Sequence, residues 1–349
     1  MLSNKRVLWL GISSLLLLAG CDSGECVSGP STQSLSRSTQ ALESFELAGD
    51  APAARAFDDI QNKLARGEEF RMDIYQYELP GTVDEFKKET LSAHAEYHID
   101  EDWRTAADEQ WECAWNQNSY FEMCAVREQK NVQEVDEKDV RSNSFYIYNA
   151  MKYMDASFKS VSSQKYQFQP YKRKYGINAT APTDGSGRVK ESVYEVGVSF
   201  AATLDGWPVI GPGGKAYVYM NPDGSLVSKS IYRKSPSKSL VRLTQNDIKT
   251  PEEALEELKS VKDDDLTGYI VTRREFGYFA WGKNSIQNII APYYVFFFSP
   301  TDSDVDTVVY RIVTAVKGKF AELVQKDYEL DVQRKKVRMG NDTELTPKK

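Results

Sequence analysis

The chain has 349 residues, 44 basic and 51 acidic, for a formal net charge of −7 and a mean hydropathy of −0.53. That acidic balance speaks against nucleic acid as a partner, because such binding rests on neutralising phosphates with Lys and Arg, and against a broad electrostatic footprint on anionic lipid. The two histidines confine any imidazole-dependent mechanism to one short segment.

The first twenty residues, MLSNKRVLWLGISSLLLLAG, place Lys5 and Arg6 before an apolar run from Val7 to Ala19 and contain no acid. This pattern predicts a secretory signal, too short to span a bilayer comfortably as a helix. It ends in Leu18-Ala19-Gly20-Cys21, which resembles the lipobox of bacterial lipoproteins. The resemblance implies cleavage before Cys21, a diacylglycerol on its thiol, and a membrane held through acyl chains. Asp22 resembles the residue that retains enterobacterial lipoproteins at the inner membrane. The implied address is the cell envelope: the outer face of the inner membrane under that sorting rule, otherwise the outer membrane or cell surface. An ordinary cleaved signal with a chance cysteine is the alternative. Loss of residues 1–20 removes Lys5 and Arg6 from the 44 basic side chains, leaving 42 against 51 acids, a balance of −9.

Residues 21–49 are rich in Ser, Gly, Thr and Gln and read as a flexible tether, whose reach is roughly 30 Å for about 28 residues. An N-terminal domain is expected over residues 50–175. It opens with a helix capped by Asp50, with Pro52 in its first turn and Phe57, Ile60 and Leu64 at helical spacing before Gly67. FRMDIYQYEL then reads as a strand, and Thr82 and Glu85 as a capping box for a short helix ending near Leu91. SAHAEYHID alternates with period two and reads as a strand, with His94, Glu96, His98 and Asp100 on one side. WECAWNQNSYFEMCAV reads as a hairpin, and a turn at Asn118-Ser119 puts Cys113 opposite Cys124. Directly paired strand residues lie within disulfide range. Ile147, Met151, Met154, Phe158 and Val161 mark an amphipathic helix.

Residues 175–191, YGINATAPTDGSGRVKE, combine turn-forming residues with few apolar anchors and read as a domain boundary. Beyond it a C-terminal domain is expected over 190–335. VYEVGVSFAAT, KAYVYM and SLVSKSIYR read as strands joined by turns at Leu204-Asp205-Gly206 and Asn221-Pro222-Asp223-Gly224. Thr250-Pro251-Glu252-Glu253-Ala254 opens a helix with a capping box. APYYVFFFSP and TVVYRIVTAV form a last strand pair, and residues 336–349 read as a polar tail. The expected fold class is therefore α+β: two domains of mainly antiparallel sheet with packed helices, after a signal peptide and tether.

Several segments invite chemical readings. His94, Glu96, His98 and Asp100 are candidate metal ligands, yet Glu96 stands beside neither histidine, as a zinc-protease helix of either order requires. The polar side of a half-exposed strand accounts for the same residues. Cys113 and Cys124 are better read as a structural disulfide than as a redox pair, which prefers C-x-x-C. Cys26 is left odd. Asp302, Asp304 and Asp306 open like a calcium loop but lack Gly and Glu at its sixth and twelfth positions, where Thr307 and Val313 stand; the Asp263-Asp264-Asp265 run reads, like them, as solvated. Gly211-Pro212-Gly213-Gly214-Lys215 lacks phosphate-loop spacing and precedes a strand. Twenty tyrosines and six tryptophans leave two readings open. Tyr146, Tyr148 and Tyr153, or Trp207 and Tyr219, form an exposed binding face, or aromatics fill the core.

Residues 190–320 resemble the PepSY-like and thermolysin-propeptide-like modules of bacterial exported proteins. The resemblance is carried by YEVGVSFAATLDGWPVIGPGGKAYVYMNPDGSLV, a strand, G-x-P-V-x-G-like turn, strand and D-G turn, and by IKTPEEALEEL. It implies a module that acts by binding, as inhibitor, propeptide or sensor, and carries over no catalytic residue. The expectation is a non-catalytic, lipid-anchored envelope protein that binds a protein, peptide or envelope ligand, possesses no cofactor, and touches no nucleic acid. The alternatives are a metal-dependent or other hydrolase built on the His94/Glu96/His98 face, and a structural component of an envelope complex.

Overall fold

Fifteen residues of the N-terminal stretch, Pro52–Arg66, form helix α1, whose buried Ala53, Ala56, Phe57 and Ile60 recur every three to four positions. Gly67, with φ at 68°, ends it in the left-handed conformation that glycine adopts without strain. The computed structural model of the chain describes residues 52–78, 96–100, 103–116, 121–128, 133–163, 165–180, 190–232, 234–260, 266–282, 285–301 and 308–342. All belong to one unit, Gln40–Lys349. The Thr82 capping box, the Asn118-Ser119 turn and both aspartate runs lie outside these residues, as do Cys21 and Cys26.

After α1 come β1 (Met72–Glu78), β2 (Glu96–Asp100), β3 (Trp103–Ala107), β4 (Trp111–Asn116), β5 (Phe121–Val126), α2 (Asn143–Val161), β6 (Tyr166–Thr180), β7 (Lys190–Leu204) and β8 (Trp207–Ile210). There follow β9 (Lys215–Met220), β10 (Leu226–Tyr232), β11 (Ser235–Leu243), α3 (Pro251–Lys259), β12 (Tyr269–Phe279), β13 (Ile289–Ile290), β14 (Pro292–Pro300), β15 (Val309–Thr314) and α4 (Gly318–Asp342). The class is α+β. A twelve-stranded sheet runs β15-β14-β12-β8-β7-β9-β10-β5-β4-β3-β2, with β6 paired to β7, and a three-stranded sheet runs β11-β1-β13. The strand pairs of both sheets are antiparallel except that of β12 with β8 in the larger one.

Local signals explain many of these elements. Thr250 accepts from the Glu253 N–H at 3.2 Å while the Glu253 carboxylate accepts from the Thr250 N–H at 2.7 Å, the expected capping box of α3. Asp205 and Gly206, at φ 51° and 81°, make the tight reversal between β7 and β8. Gly213 and Gly214 are needed for packing, since a Cβ would lie 2.1 Å from the Trp281 carbonyl and 2.3 Å from Val209 Cγ1, respectively.

The structure corrects four expectations. On α2 the buried apolar stripe is Tyr146, Ala150, Met154 and Phe158, whereas Met151 is exposed and Ile147 only half-buried. Tyr146 goes inside because its hydroxyl donates to the Pro222 carbonyl at 2.7 Å. Residues 336–342, expected in a polar tail, continue helix α4. Strands β3, β6, β8, β11, β12 and β13 have no counterpart among the expected elements. Residues 175–180 and 190–191, expected in a boundary segment, are paired strand, Tyr175 with Val196 and Thr180 with Lys190.

Pairing and packing connect the two halves of the chain. Strand β1 pairs with β11 (Met72 with Leu243) and with β13 (Tyr75 with Ile290). Phe57 of α1 meets Tyr294 and Phe296 of β14 edge-on. One buried apolar cluster extends from Ala53 to Val324. Helix α4 is held to the loop before β13 by acids: Asp327 accepts from the Asn288 and Ile289 backbone N–H groups at 3.1 and 3.3 Å, and Asp331 from that of Ile286 at 2.7 Å. The buried Lys234 donates to the Gln287 carbonyl at 3.1 Å. Burial lowers its ammonium to about 8, against the opposing pull of Asp327 and Asp331.

Candidate functional site

Strand β9 alternates strictly. Ala216, Val218 and Met220 are fully buried, and Tyr217 and Tyr219 face the other way, half-buried. On that second face Tyr217 stands opposite Ser199 of β7 and Ser230 of β10, and Tyr219 opposite Gly197 and Ser228. The neighbours on both sides are small, and Ser199 and Ser228 are themselves buried.

Two irregularities enlarge the patch. The β6–β7 register shifts between Pro170 and Lys172, leaving Tyr171 without a strand partner, and again at Gly176, where the next pair is Ile177 with Val193 and Tyr194 is skipped. Bulges of this kind re-aim side chains. Tyr171 and Tyr194 are 47% and 36% exposed. The Tyr194 ring lies against Gly176, where a Cβ would come within 2.7 Å of its Cζ. Helix α2 contacts these strands from the opposite face, where Phe158 stacks on Phe168 and meets Phe200 edge-on.

Glu195 sits among these tyrosines, opposite Gly176. Burial pushes its carboxyl up to about 7, and it makes no hydrogen bond or ion pair with another described residue. Burial, with Tyr219 and Tyr171 adding, raises Tyr217 to about 12; burial and then Glu195 raise Tyr219 to about 12. Tyr194 is raised for the same two reasons as Tyr219. The phenols thus stay protonated at neutral pH and serve as hydrogen-bond donors and flat apolar surfaces, not as bases. Glu195 changes from donor to acceptor near neutrality. The set is suited to ring contact and hydrogen bonding with a ligand laid across the sheet.

Cys113 and Cys124 pair directly across β4 and β5 and are joined by a disulfide. Glu96, His98 and Asp100 occupy alternate positions of β2, paired with Ala107, Thr105 and Trp103, while His94 lies outside the described residues. Among the described residues no three His, Cys, Asp or Glu side chains are grouped to hold a metal ion, and no described helix is long and apolar enough to cross a membrane. Of the aromatics considered for a binding face, Tyr146 and Trp207 are core. Tyr153 is half-buried and donates to the Gly224 carbonyl at 3.1 Å, and Tyr148 is 71% exposed on α2. Tyr219 belongs to the sheet patch. Tyr217 was legible in the alternation of KAYVYM, but nothing in the sequence marks the bulges that present Tyr171 and Tyr194.

No family model matches the chain, and no curated protein matches it. Among solved structures, an uncharacterized protein from Eubacterium rectale is 10% identical over 72% of this chain and 85% of its own, with a TM-score of 0.43. The C-terminal domain of YpeB from Bacillus megaterium is 12% identical over 74% of this chain and 93% of its own, with a TM-score of 0.23. Similarities at this level define neither a shared fold nor a shared activity.

Proposed function

We propose that this chain is a non-catalytic, lipid-anchored protein of the bacterial cell envelope that binds a protein, peptide or envelope ligand across the tyrosine-bearing face of its long sheet. The observation that carries this reading is the cluster of Tyr171, Tyr194, Tyr217 and Tyr219 around Glu195 on the face opposite α2. Large amphipathic rings of this type dominate binding surfaces because they bury much area at little entropic cost. The PepSY-like pattern of residues 190–320, a module class that works by binding, supports it. Lipid attachment rests on the Leu18-Ala19-Gly20-Cys21 motif.

The test is affinity purification from gently solubilised membranes with quantitative mass spectrometry, comparing wild type with a Tyr171→Ser/Tyr219→Ser variant. The specific partner should fall about tenfold in the variant, the loss expected when aromatic anchors are truncated. An identical set of co-purifying proteins in both would overturn the site. Anchoring is read separately: Cys21→Ser should move the protein from the membrane pellet to the soluble fraction, and wild-type protein found wholly soluble would end the lipoprotein reading.

A further inference from the structure

A cleft of about 350 Å³ opens between α1 and the turn that joins β7 to β8. Ala56 and Trp207 supply its apolar lining, and Arg55, Asp59 and Asp205 supply its charges. Asp205 is held from behind. Its left-handed backbone, φ 51°, is fixed by the two-residue reversal, and its N–H donates to the Lys165 carbonyl at 2.9 Å. Its carboxylate accepts from the hydroxyl of Tyr75, a core residue of β1. Lys165 Nζ donates to that same hydroxyl at 3.2 Å and stands 4.0 Å from the Asp205 carboxylate, whose side chain is 15% exposed.

Across the cleft the charges are unequal in their commitments. Asp59 is paired with Lys63 at 3.4 Å, whereas Arg55 is exposed and forms no ion pair with a described residue. The lining therefore combines a pre-positioned carboxylate, an indole and a guanidinium that pairs with no described carboxylate. A guanidinium binds a carboxylate through two parallel hydrogen bonds, and a carboxylate held in place by the buried Tyr75 hydroxyl needs little reordering to receive an ammonium. The volume is at the lower end of small-ligand pockets, which fits a ligand of dipeptide size.

We propose that this cleft binds a short zwitterionic peptide, its carboxylate on Arg55 and its ammonium on Asp205. Full-length protein in detergent micelles is titrated with alanylalanine, its N-acetyl derivative and its C-terminal amide, with heat or tryptophan fluorescence as readout. Saturable binding of the dipeptide is expected, and either cap should weaken it about tenfold, a typical loss for one charge-assisted pair. Arg55→Ala should bind the dipeptide as weakly as wild type binds the amide and no longer distinguish the two. Asp205→Asn should lose discrimination against the N-acetyl form; Asn tolerates the left-handed turn and keeps an acceptor for Tyr75, so the fold is retained. No saturation with the dipeptide, equal affinities for capped and free probes, or wild-type affinity in Arg55→Ala would each overturn the proposal.

Discussion

Glu195 keeps its proton up to about neutrality for a physical reason that has a measurable cost. The folded chain holds the carboxyl in a half-buried site beside Tyr219 and Tyr194, which raises it from 4.5 to about 7, while the unfolded chain leaves it solvated. Folding therefore takes up protons at this group, and its contribution to stability is fully present below pH 4.5 and lost as pH rises through about 7. Glu195→Gln removes that dependence. The variant should melt higher than wild type at pH 8 and show a flatter melting profile between about pH 5 and pH 8. Identical profiles would mean that the carboxyl is solvated in the folded protein. At this scale the sequence was readable where geometry is local. Cys113 meets Cys124 because β4 and β5 keep one unbroken register from Trp111 with Val126 to Asn116 with Phe121. It was unreadable where alternation breaks, as at Tyr171 and Tyr194, or where a polar group finds a partner inside. Tyr146 displaced Ile147 from the core because the Pro222 carbonyl accepts its hydroxyl.

Helix α4 shows the same limit in an element. Of its side chains up to Val332, only Val324 and Asp331 are buried, so it lacks the broad apolar stripe that announces a docked helix. It is attached through Asp327 and Asp331, residues that a sequence reading assigns to solvent, and by a stack of Tyr328 on Trp281 at 5.4 Å. Asp327→Ala strips acceptors from the Asn288 and Ile289 N–H groups and from the Asn288 side chain at 2.7 Å. Destabilisation of about 1 to 3 kcal/mol is expected. Amide exchange should quicken in α4 and in residues 285–290 while β7 and β9 keep their protection. Equal protection of α4 in both proteins would show that its apolar contacts suffice. The capped helix α3 stands at the other extreme, since Thr250, Pro251 and Glu253 state its start in three residues. Strand β11 was missed because SPSKSLVRL presents mostly polar, exposed positions and pairs with β1 by its backbone.

For the whole molecule, the α+β class was legible from alternating segments and capped helices, but partner choice was not, since periodicity says which face is apolar and not what covers it. Strands of residues 190–335 receive α1, β1, β5 and β6 from the preceding half. A fragment of residues 190–335 would expose Tyr294 and Phe296, now covered by Phe57, and the free edges of β7 and β10. It should aggregate or melt without a cooperative transition, as judged by size-exclusion chromatography and calorimetry. A monomeric, cooperatively melting fragment would show that the C-terminal half is self-sufficient. The pairing of β1 with β11 and β13 also bears on biogenesis. In a chain delivered N-terminus first, by a ribosome or an export channel, Tyr75 waits for Ile290 and Met72 for Leu243. Such distant pairing raises contact order and slows folding. β1, the first of the described strands to emerge, is among the last to be closed, so the nascent protein spends most of its delivery time with an open, sticky edge, and a holding chaperone has its longest useful engagement there.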